Sequence, residues 1–185
     1  MLKLNVRFFD TRRPDHAGGS TDGSRSVMRA DGVAVSRLDH RGRRFGSDFL
    51  WHINNPDKSD WFLNSEKSAI ALCVFKEYYP EQQVAFASDL QYALNYEGRD
   101  LSDDEAYRHL LEKYNLPAEA FYASLHSPAY KEKAYYEFAL VKQLQVTGFP
   151  AVLLQVSESK FYLISRGYTD YETLKERVDN ILQEI

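Results

Sequence analysis

Apolar and polar residues alternate at the start of the chain. In residues 2–9 (LKLNVRFF) every second side chain from Leu2 to Phe8 is apolar. A period of two is typical of a β-strand that buries one face. We therefore expect residues 2–9 to form a half-buried strand.

The stretch from Phe45 to Trp61 shows no clear period. Its aromatic residues surround the sequence NNPD at 54–57, and this composition is typical of turns. The pattern predicts a loop that Trp51 and Trp61 anchor.

Helical spacing replaces alternation after residue 64. The first predicted helix runs from Ser65 to Tyr79, is capped by Asn64 or Ser65, and stops at Pro80. A second helix has Pro80 in its first turn and ends at Gly98. The apolar members of the first helix are Ala69, Leu72, Cys73 and Phe75. The expected inner face of the second consists of Val84, Phe86, Leu90, Tyr92 and Leu94.

Three further helices are predicted before residue 145. The sequence SDDE at 102–105 reads as a capping box, with Ser102 as the cap of a helix that reaches about Tyr114. A short helix over 118–125 follows the break at 115–117. Pro128 then opens a long helix to about Leu144.

The last 40 residues form a different pattern. Two apolar segments, 151–156 and 160–165, are separated by Ser157-Glu158-Ser159, which is hairpin length and predicts an antiparallel pair. The sequence TDYE at 169–172 reads as a second capping box for a helix over about 170–184. Its apolar residues lie on one side: Leu174, Val178, Ile181, Leu182 and Ile185.

Charge divides the chain near residue 44. Residues 1–44 carry ten Lys and Arg against five Asp and Glu, whereas residues 45–185 carry 13 against 22. Between Thr11 and Arg44 there is no Glu, no Ile and no aromatic residue, so this segment has little to bury. We expect 11–44 to be irregular and basic, and an out-of-frame translation would have the same composition. A nucleic-acid patch is disfavoured because no aromatic residue interleaves the arginines.

Composition excludes several classes for the whole chain. A hydrophobic content of 44% is enough for a core. No apolar run approaches 18 residues, which predicts that the chain does not span a membrane. The net charge of −4 argues against a general nucleic-acid binder. Residues 1–10 lack the pattern of a secretory signal, so we expect a cytoplasmic location.

The segment VTGFP at 146–150 is the most informative motif. Pro150 cannot donate to a β-ladder, so it must lie just before the strand that begins at Ala151. A cis Phe149–Pro150 bond would leave the backbone of Phe149 unpaired and facing outward. Such a backbone can pair with an extended peptide or a small glutathione-like thiol. The candidate binding residues are therefore Thr147, Phe149 and Pro150.

This order of elements resembles a known family. A helix, VTGFP, a hairpin and a terminal helix look like the cis-proline half of a thioredoxin-like domain. The helical segments NSEKSAIALCVFKEYYP and LQYALNYEGRDLSD look like the helical insertion of the DsbA family, in particular its cytosolic branch related to FrnE. The resemblance covers residues 45–185. It implies an α/β, thioredoxin-like fold with an inserted all-helical subdomain, and thiol-disulfide oxidoreductase activity.

The domain organisation follows from that resemblance. Residues 1–10 and 145–185 are expected to form the thioredoxin-like sheet and terminal helix, with 11–44 as the irregular basic segment. Residues 45–144 would be the helical insertion.

The chain departs from the family at the redox centre. Family members place Cys-x-x-Cys at a helix N-terminus after the first strand, and the helix dipole activates the first thiol. This chain has one cysteine, Cys73. Either residues 2–9 are the first strand and Arg13-Pro14-Asp15-His16 replaces the dithiol, or they are the second strand and the N-terminal strand–helix unit is missing. The Gly18-Gly19 pair favours the second alternative.

Other polar residues are better explained by structure. Cys73, between Leu72 and Val74, reads as a buried and inert cysteine. The five histidines, at 16, 40, 52, 109 and 126, have no metal-ligand spacing, and no metal site or cofactor is indicated. The acidic run 103–105 suits a helix N-terminus better than a paired-carboxylate site. Tyr130, Tyr135 and Tyr136 are more typical of packing than of a ligand platform.

Three functional hypotheses remain. In the first, the chain is a DsbA-like family member that lacks the redox centre, so no residue is assigned a catalytic role. Alternatively it is a binding module that uses the 147–150 loop. The third is a glutathione-dependent isomerase or transferase of the kappa type, in which Ser20, Ser24 or Ser26 would serve only if 11–44 folded as a helix.

Overall fold

A computed structural model describes residues 45–55, 57–59, 61, 64–147 and 150–184. The predicted strand 2–9, the segment 11–44, Phe149 and Ile185 lie outside the described residues. The two alternatives for residues 2–9, as the first or the second strand of the sheet, therefore stay predictions.

The described part of the chain is a block of helices followed by a hairpin and a final helix. The helices of the block are α1 (Ser47–Asn54), α2 (Glu66–Tyr78), α3 (Gln83–Asn95), α4 (Arg108–Lys113), α5 (Ala118–Leu125) and α6 (Pro128–Gln143). Short 3-10 turns at Pro80–Gln82 and Asp104–Tyr107 lead into α3 and α4. Strands β1 (Ala151–Gln155) and β2 (Phe161–Arg166) precede α7 (Tyr171–Glu184). The predicted helices and strands from residue 65 onward are confirmed. Helix α5 has the predicted bounds, the helix predicted after Ser102 starts as the 3-10 turn at Asp104, and the other ends shift by at most three residues.

Helix α1 corrects the expectation of a loop. Residues 47–54 are helical because Phe49 and Leu50 are buried and the amide of Gly46 donates to the Asn95 carbonyl, which fixes the start of the helix. Trp51, predicted to anchor a loop, is about half exposed. Trp61 does pack, since its ring stacks on His52 with centroids 4.1 Å apart.

Helix α2 is the centre of the core. All eight residues from Ser68 to Phe75 are buried, so the helix is enclosed on all sides. It packs against α3, α5 and α6. Phe75 stacks on Phe86 of α3 with ring centroids 4.0 Å apart. Each fully buried apolar side chain contributes about 1.5–3 kcal/mol relative to an exposed one, so this buried stretch of α2 and the rings packed on it stabilise the block.

Three sequence expectations within the helices need correction. Val84 and Tyr92, assigned to the inner face of α3, are exposed, and Phe86 and Leu90 form that face. Asp103 rather than Ser102 caps the 3-10 turn, with its carboxylate accepting from the Glu105 amide at 3.1 Å. The difference at the cap is a one-residue shift in the helix start, which spacing alone does not determine.

The C-terminal helix has the same shift at its start. The carboxylate of Asp170, rather than Thr169, caps α7 by accepting from the Thr173 amide at 2.9 Å. Of the two expected caps of α2, Ser65 occupies the N-cap position without a capping hydrogen bond from its side chain, and the Asn64 side chain accepts from the Glu66 amide at 2.8 Å.

The hairpin is antiparallel, as predicted, and carries a bulge. Gln155 pairs with Phe161 and Ala151 pairs with Arg166, with a register shift between Val152 and Leu153. Helix α7 packs against β2, and Arg177 donates to the Ile164 carbonyl at 2.7 Å. The predicted apolar side of α7 is half buried at Leu174, Val178 and Ile181, while Leu182 is exposed.

Candidate functional site

The candidate site begins where α6 ends. Gln145 adopts a left-handed conformation at φ 54°, and the amide of Val146 donates to the Val141 carbonyl at 3.2 Å. Together these close the last turn of the helix and turn the chain sharply. The turn leaves Thr147 exposed.

Pro150 lies directly before β1, as its missing amide requires. Its ring is exposed, and its carbonyl accepts from the Gly167 amide at 2.7 Å. The prediction that Pro150 precedes the strand is confirmed. Phe149 and its bond to Pro150 lie outside the described residues, so the predicted trio is described at Thr147 and Pro150 only.

Gly167 belongs to this site, although sequence reasoning gave it no such role. It has φ +80°, a conformation that favours glycine, and a Cβ placed there would meet no atom within 4 Å. Tyr168 follows it and is 66% exposed. Counting pairs outward from the predicted hairpin places Arg166 opposite Pro150. The bulge moves Gly167 there instead, and no residue pattern signals that bulge.

Cys73 lies on another element, α2, and is 5% exposed. Its expected burial is confirmed. The residue also lines a groove of about 520 Å³ between α2 and α6. Two ion pairs join these helices beside the groove, Lys76 with Glu137 and Lys133 with Glu77. These two ion pairs hold α2 and α6 together along the groove.

The acidic run 103–105 is occupied by structural contacts. Asp104 pairs with Lys67 at 2.6 Å and with His126 at 2.7 Å. Burial alone would raise the pKa of Asp104, but these two partners together hold that pKa below its ordinary value. Glu105 pairs with Arg108. The acidic run therefore lies at a helix start, as the sequence suggested, and Asp104 also joins that start to α2 through Lys67.

The remaining polar candidates also have structural partners. His52 Nδ1 lies 2.8 Å from Ser59 Oγ, and His109 Nε2 lies 3.4 Å from Glu97. The hydroxyl of Tyr135 donates to Glu66, while Tyr136 is exposed. Within the described part of the chain, no three His, Cys, Asp or Glu side chains are grouped to hold a metal ion. The candidates His16, His40, Ser20, Ser24 and Ser26 lie outside the described residues.

Most of the chain, including the helical block and the hairpin, matches one known domain family. The family model of the DSBA-like thioredoxin domain matches residues 27–179. This chain belongs to that family. The match starts within the segment 11–44, earlier than the resemblance over 45–185 indicated.

Two solved structures have the same fold. One is a Nitrosomonas europaea protein assigned as a protein disulfide isomerase, with a TM-score of 0.68 and 23% identity over 77% of this chain and 67% of that chain. The other is the cytosolic disulfide reductase DsbM from Pseudomonas aeruginosa, with a TM-score of 0.61 and 19% identity over 78% of this chain and 70% of that chain. A comparison with curated sequences yields no match. The fold is therefore α/β and thioredoxin-like with a helical insertion.

Among the described residues, no helix is both long and apolar enough to cross a membrane.

Proposed function

We propose that this chain is a DsbA-like family member that binds an extended peptide or a small thiol at the 147–150 loop and catalyses no disulfide exchange. The observation that carries this proposal is the cysteine content. The sequence has one cysteine, whereas a dithiol centre needs two.

The position of that cysteine supports the absence of exchange chemistry. Exchange requires a thiolate that attacks a disulfide sulfur in line, so the thiol must be accessible. Cys73 is 5% exposed and lies within the most buried stretch of α2. A thiol with so little exposed surface is poorly accessible to a disulfide.

The exposure of the loop supports a binding role. Thr147 and Pro150 are both exposed, and Pro150 already uses its carbonyl to join β2 through Gly167. A ligand strand would lie on the side of Pro150 that faces away from β2, in the manner of β-augmentation. A cis Phe149–Pro150 bond is part of this proposal, because it would present the Phe149 backbone outward.

The proposal also includes the domain organisation. Among the described strands, β1 pairs with β2 on one edge only. We propose that residues 1–10 complete this sheet with 145–185, and that 45–144 are the insertion. A cytoplasmic location is part of the same proposal, and the description of the Pseudomonas neighbour as cytosolic supports it.

Redox assays test the first half of the proposal. We expect no insulin reduction and no dithiothreitol-dependent oxidase turnover by the full chain. Iodoacetamide should modify Cys73 slowly in buffer and rapidly in denaturant. Turnover that survives Cys73→Ser would refute the claim that the redox centre is missing.

Binding at the loop is tested by nuclear magnetic resonance titration with an extended peptide and, separately, with glutathione. Amide shifts should change at Thr147, Ala151 and Gly167, and those of α4 should not. Thr147→Pro removes a backbone donor and should weaken binding at least about fivefold, whereas Thr147→Ser keeps the donor and should not. Equal binding by both variants would place the ligand elsewhere.

A further inference from the structure

The groove between α2 and α6 has the size of a small-molecule site. Its volume of about 520 Å³ lies within the range of ligand pockets, about 300–1,000 Å³. Among the described residues that line it, Cys73 is the buried one and forms its floor. Two exposed lining residues, Glu132 and Tyr136, lie four positions apart on α6. This spacing places their side chains next to each other on one face of the helix.

The charges that line the groove are paired except at Glu132. Lys76 pairs with Glu137 at 2.8 Å, and Lys133 pairs with Glu77. Glu132 has no ion-pair or hydrogen-bond partner within the described part of the chain. Three carboxylates therefore line the groove together with two ammonium groups, and the negative charge that remains is that of Glu132.

Tyr136 also differs from the other tyrosines of α6. Lys133 lies over the ring of Tyr130 at 4.6 Å from its centroid, and Lys131 lies over the ring of Tyr135 at 5.5 Å. The ring of Tyr136 is 68% exposed, and no Lys or Arg of the described residues lies over it. The residue four positions before Tyr135 is a lysine, whereas the residue four positions before Tyr136 is a glutamate.

A free carboxylate beside an open aromatic face is suited to binding a cation. The face of a tyrosine ring attracts an ammonium or guanidinium group within about 6 Å, and a carboxylate pairs with the same group within about 4 Å. Lys133 also lines the groove, but its ammonium is already held by Glu77 and the Tyr130 ring. An alkyl chain attached to the bound cation can pack along the groove toward Cys73, which is a small apolar side chain.

We propose that the groove between α2 and α6 binds a small organic cation, an alkylammonium or alkylguanidinium ion, between the Tyr136 ring and the Glu132 carboxylate. The volume of the groove favours a free small molecule as the source of this cation. The inference does not depend on the binding function proposed for the 147–150 loop.

Two probes of nearly the same shape test whether the groove recognises charge. n-Butylguanidinium carries the cation, and n-butylurea replaces it with a neutral group. The measurement is the Kd of each probe by nuclear magnetic resonance titration of the full chain. The cation should bind about three- to thirtyfold more tightly than the urea, with amide shifts at Cys73, Glu132 and Tyr136. This preference should shrink in 1 M salt, about the concentration at which exposed charges are strongly screened.

Substitutions at the two residues identify the site. Glu132→Gln and Tyr136→Leu should each weaken the binding of n-butylguanidinium about two- to fivefold and leave that of n-butylurea within about twofold. Tyr136→Phe keeps the ring and should bind both probes as the wild type does. Glu119→Gln removes an exposed carboxylate of α5 and is the matched charge control. It should change neither Kd.

Three results would overturn the proposal. Equal affinity of the wild type for the two probes would show that the groove does not recognise charge. A loss of affinity in Glu119→Gln as large as that in Glu132→Gln would show a general attraction to an acidic protein. Unchanged binding of n-butylguanidinium by Tyr136→Leu would show that the ring takes no part.

Discussion

Tyr107 shows how a polar side chain is accommodated in an otherwise apolar core. Its ring is fully buried, and its hydroxyl donates to the Leu101 carbonyl at 2.7 Å. Burial raises the pKa of this phenol well above its ordinary value, so the hydroxyl stays protonated and remains a donor. The hydrogen bond thereby ties the loop before the Asp104–Tyr107 turn to the core.

Removing that hydroxyl should destabilise the protein measurably. Tyr107→Phe keeps the ring but leaves the Leu101 carbonyl without its donor, so we expect a loss of about 0.5–1.5 kcal/mol in the free energy of unfolding. Urea denaturation measures it. Tyr136→Phe removes an exposed hydroxyl and should change stability by less than about 0.5 kcal/mol. Equal effects of the two variants would contradict this account of Tyr107.

Asp104 makes stability depend on pH. Its pKa is lower in the folded chain than in the unfolded chain, where it is about 3.9. A lowered folded pKa contributes stability that is fully present above the unfolded value and is lost as pH falls through the folded value. The contacts of Asp104 with Lys67 and His126 should therefore weaken in acid.

Asp104→Asn tests this dependence. At pH 7 we expect the variant to lose roughly 1 kcal/mol, and the difference from wild type should shrink as pH falls below about 4. Thermal unfolding across pH 2.5–7 measures the difference. The control is Glu132→Gln, an exposed carboxylate of α6. A difference between Asp104→Asn and wild type that stayed constant with pH would contradict the assignment.

At the scale of elements, α1 depends on a close approach between two backbones. Gly46 has an ordinary φ of −70°, and its amide donates to the Asn95 carbonyl at 3.0 Å. A Cβ at this position would lie 1.6 Å from the Tyr96 carbonyl oxygen. Gly46 is therefore needed for space and not for backbone freedom, in contrast to Gly167.

Gly46→Ala should separate α1 from the end of α3. Alanine ordinarily stabilises such a position by restricting the unfolded chain, but here the clash should cost roughly 1–3 kcal/mol. Ser47→Ala, one residue further along and exposed, should stay within about 0.5 kcal/mol of wild type. Urea denaturation of both variants decides the point, and a Gly46→Ala protein as stable as wild type would refute the close approach.

Stability is unevenly distributed over the whole molecule. Helix α2 is enclosed by α3, α5 and α6, whereas none of the described residues of α7 is buried. Segments with few buried apolar contacts open locally at a free energy below that of global unfolding. The helical block and the C-terminal helix should therefore behave as separate cooperative units.

Native-state hydrogen exchange at increasing denaturant measures these units. The amides of Ala71 and Val74 in α2 should exchange only through global unfolding, with a steep dependence on denaturant. Amides of α7 should exchange faster and with little dependence on denaturant. A common opening free energy for α2 and α7 would show that the molecule unfolds as one unit.

Local patterns determined most of the elements. Helices α5 and α6 begin at the residues that Pro117 and Pro128 indicate, because proline both breaks the preceding helix and suits the first turn of the next. Helix α1 was missed because residues 47–54 show no clear helical period, and the hydrogen bond from Gly46 to Asn95 that fixes its start joins residues far apart in the chain. Val84 and Tyr92 were assigned inward because apolar residues were read as buried, although exposed apolar side chains are common.

The sequence by itself determined the family, the single cysteine, the helical block, the hairpin and the place of Pro150 before β1, because each follows from residues close together in the chain. Only the tertiary structure decided that Gly167 lies opposite Pro150. A single bulge between Val152 and Leu153 shifts the pairing of the strands by one residue. Bulges depend on how strands twist and pack, so the partner of Pro150 depends on the assembled sheet.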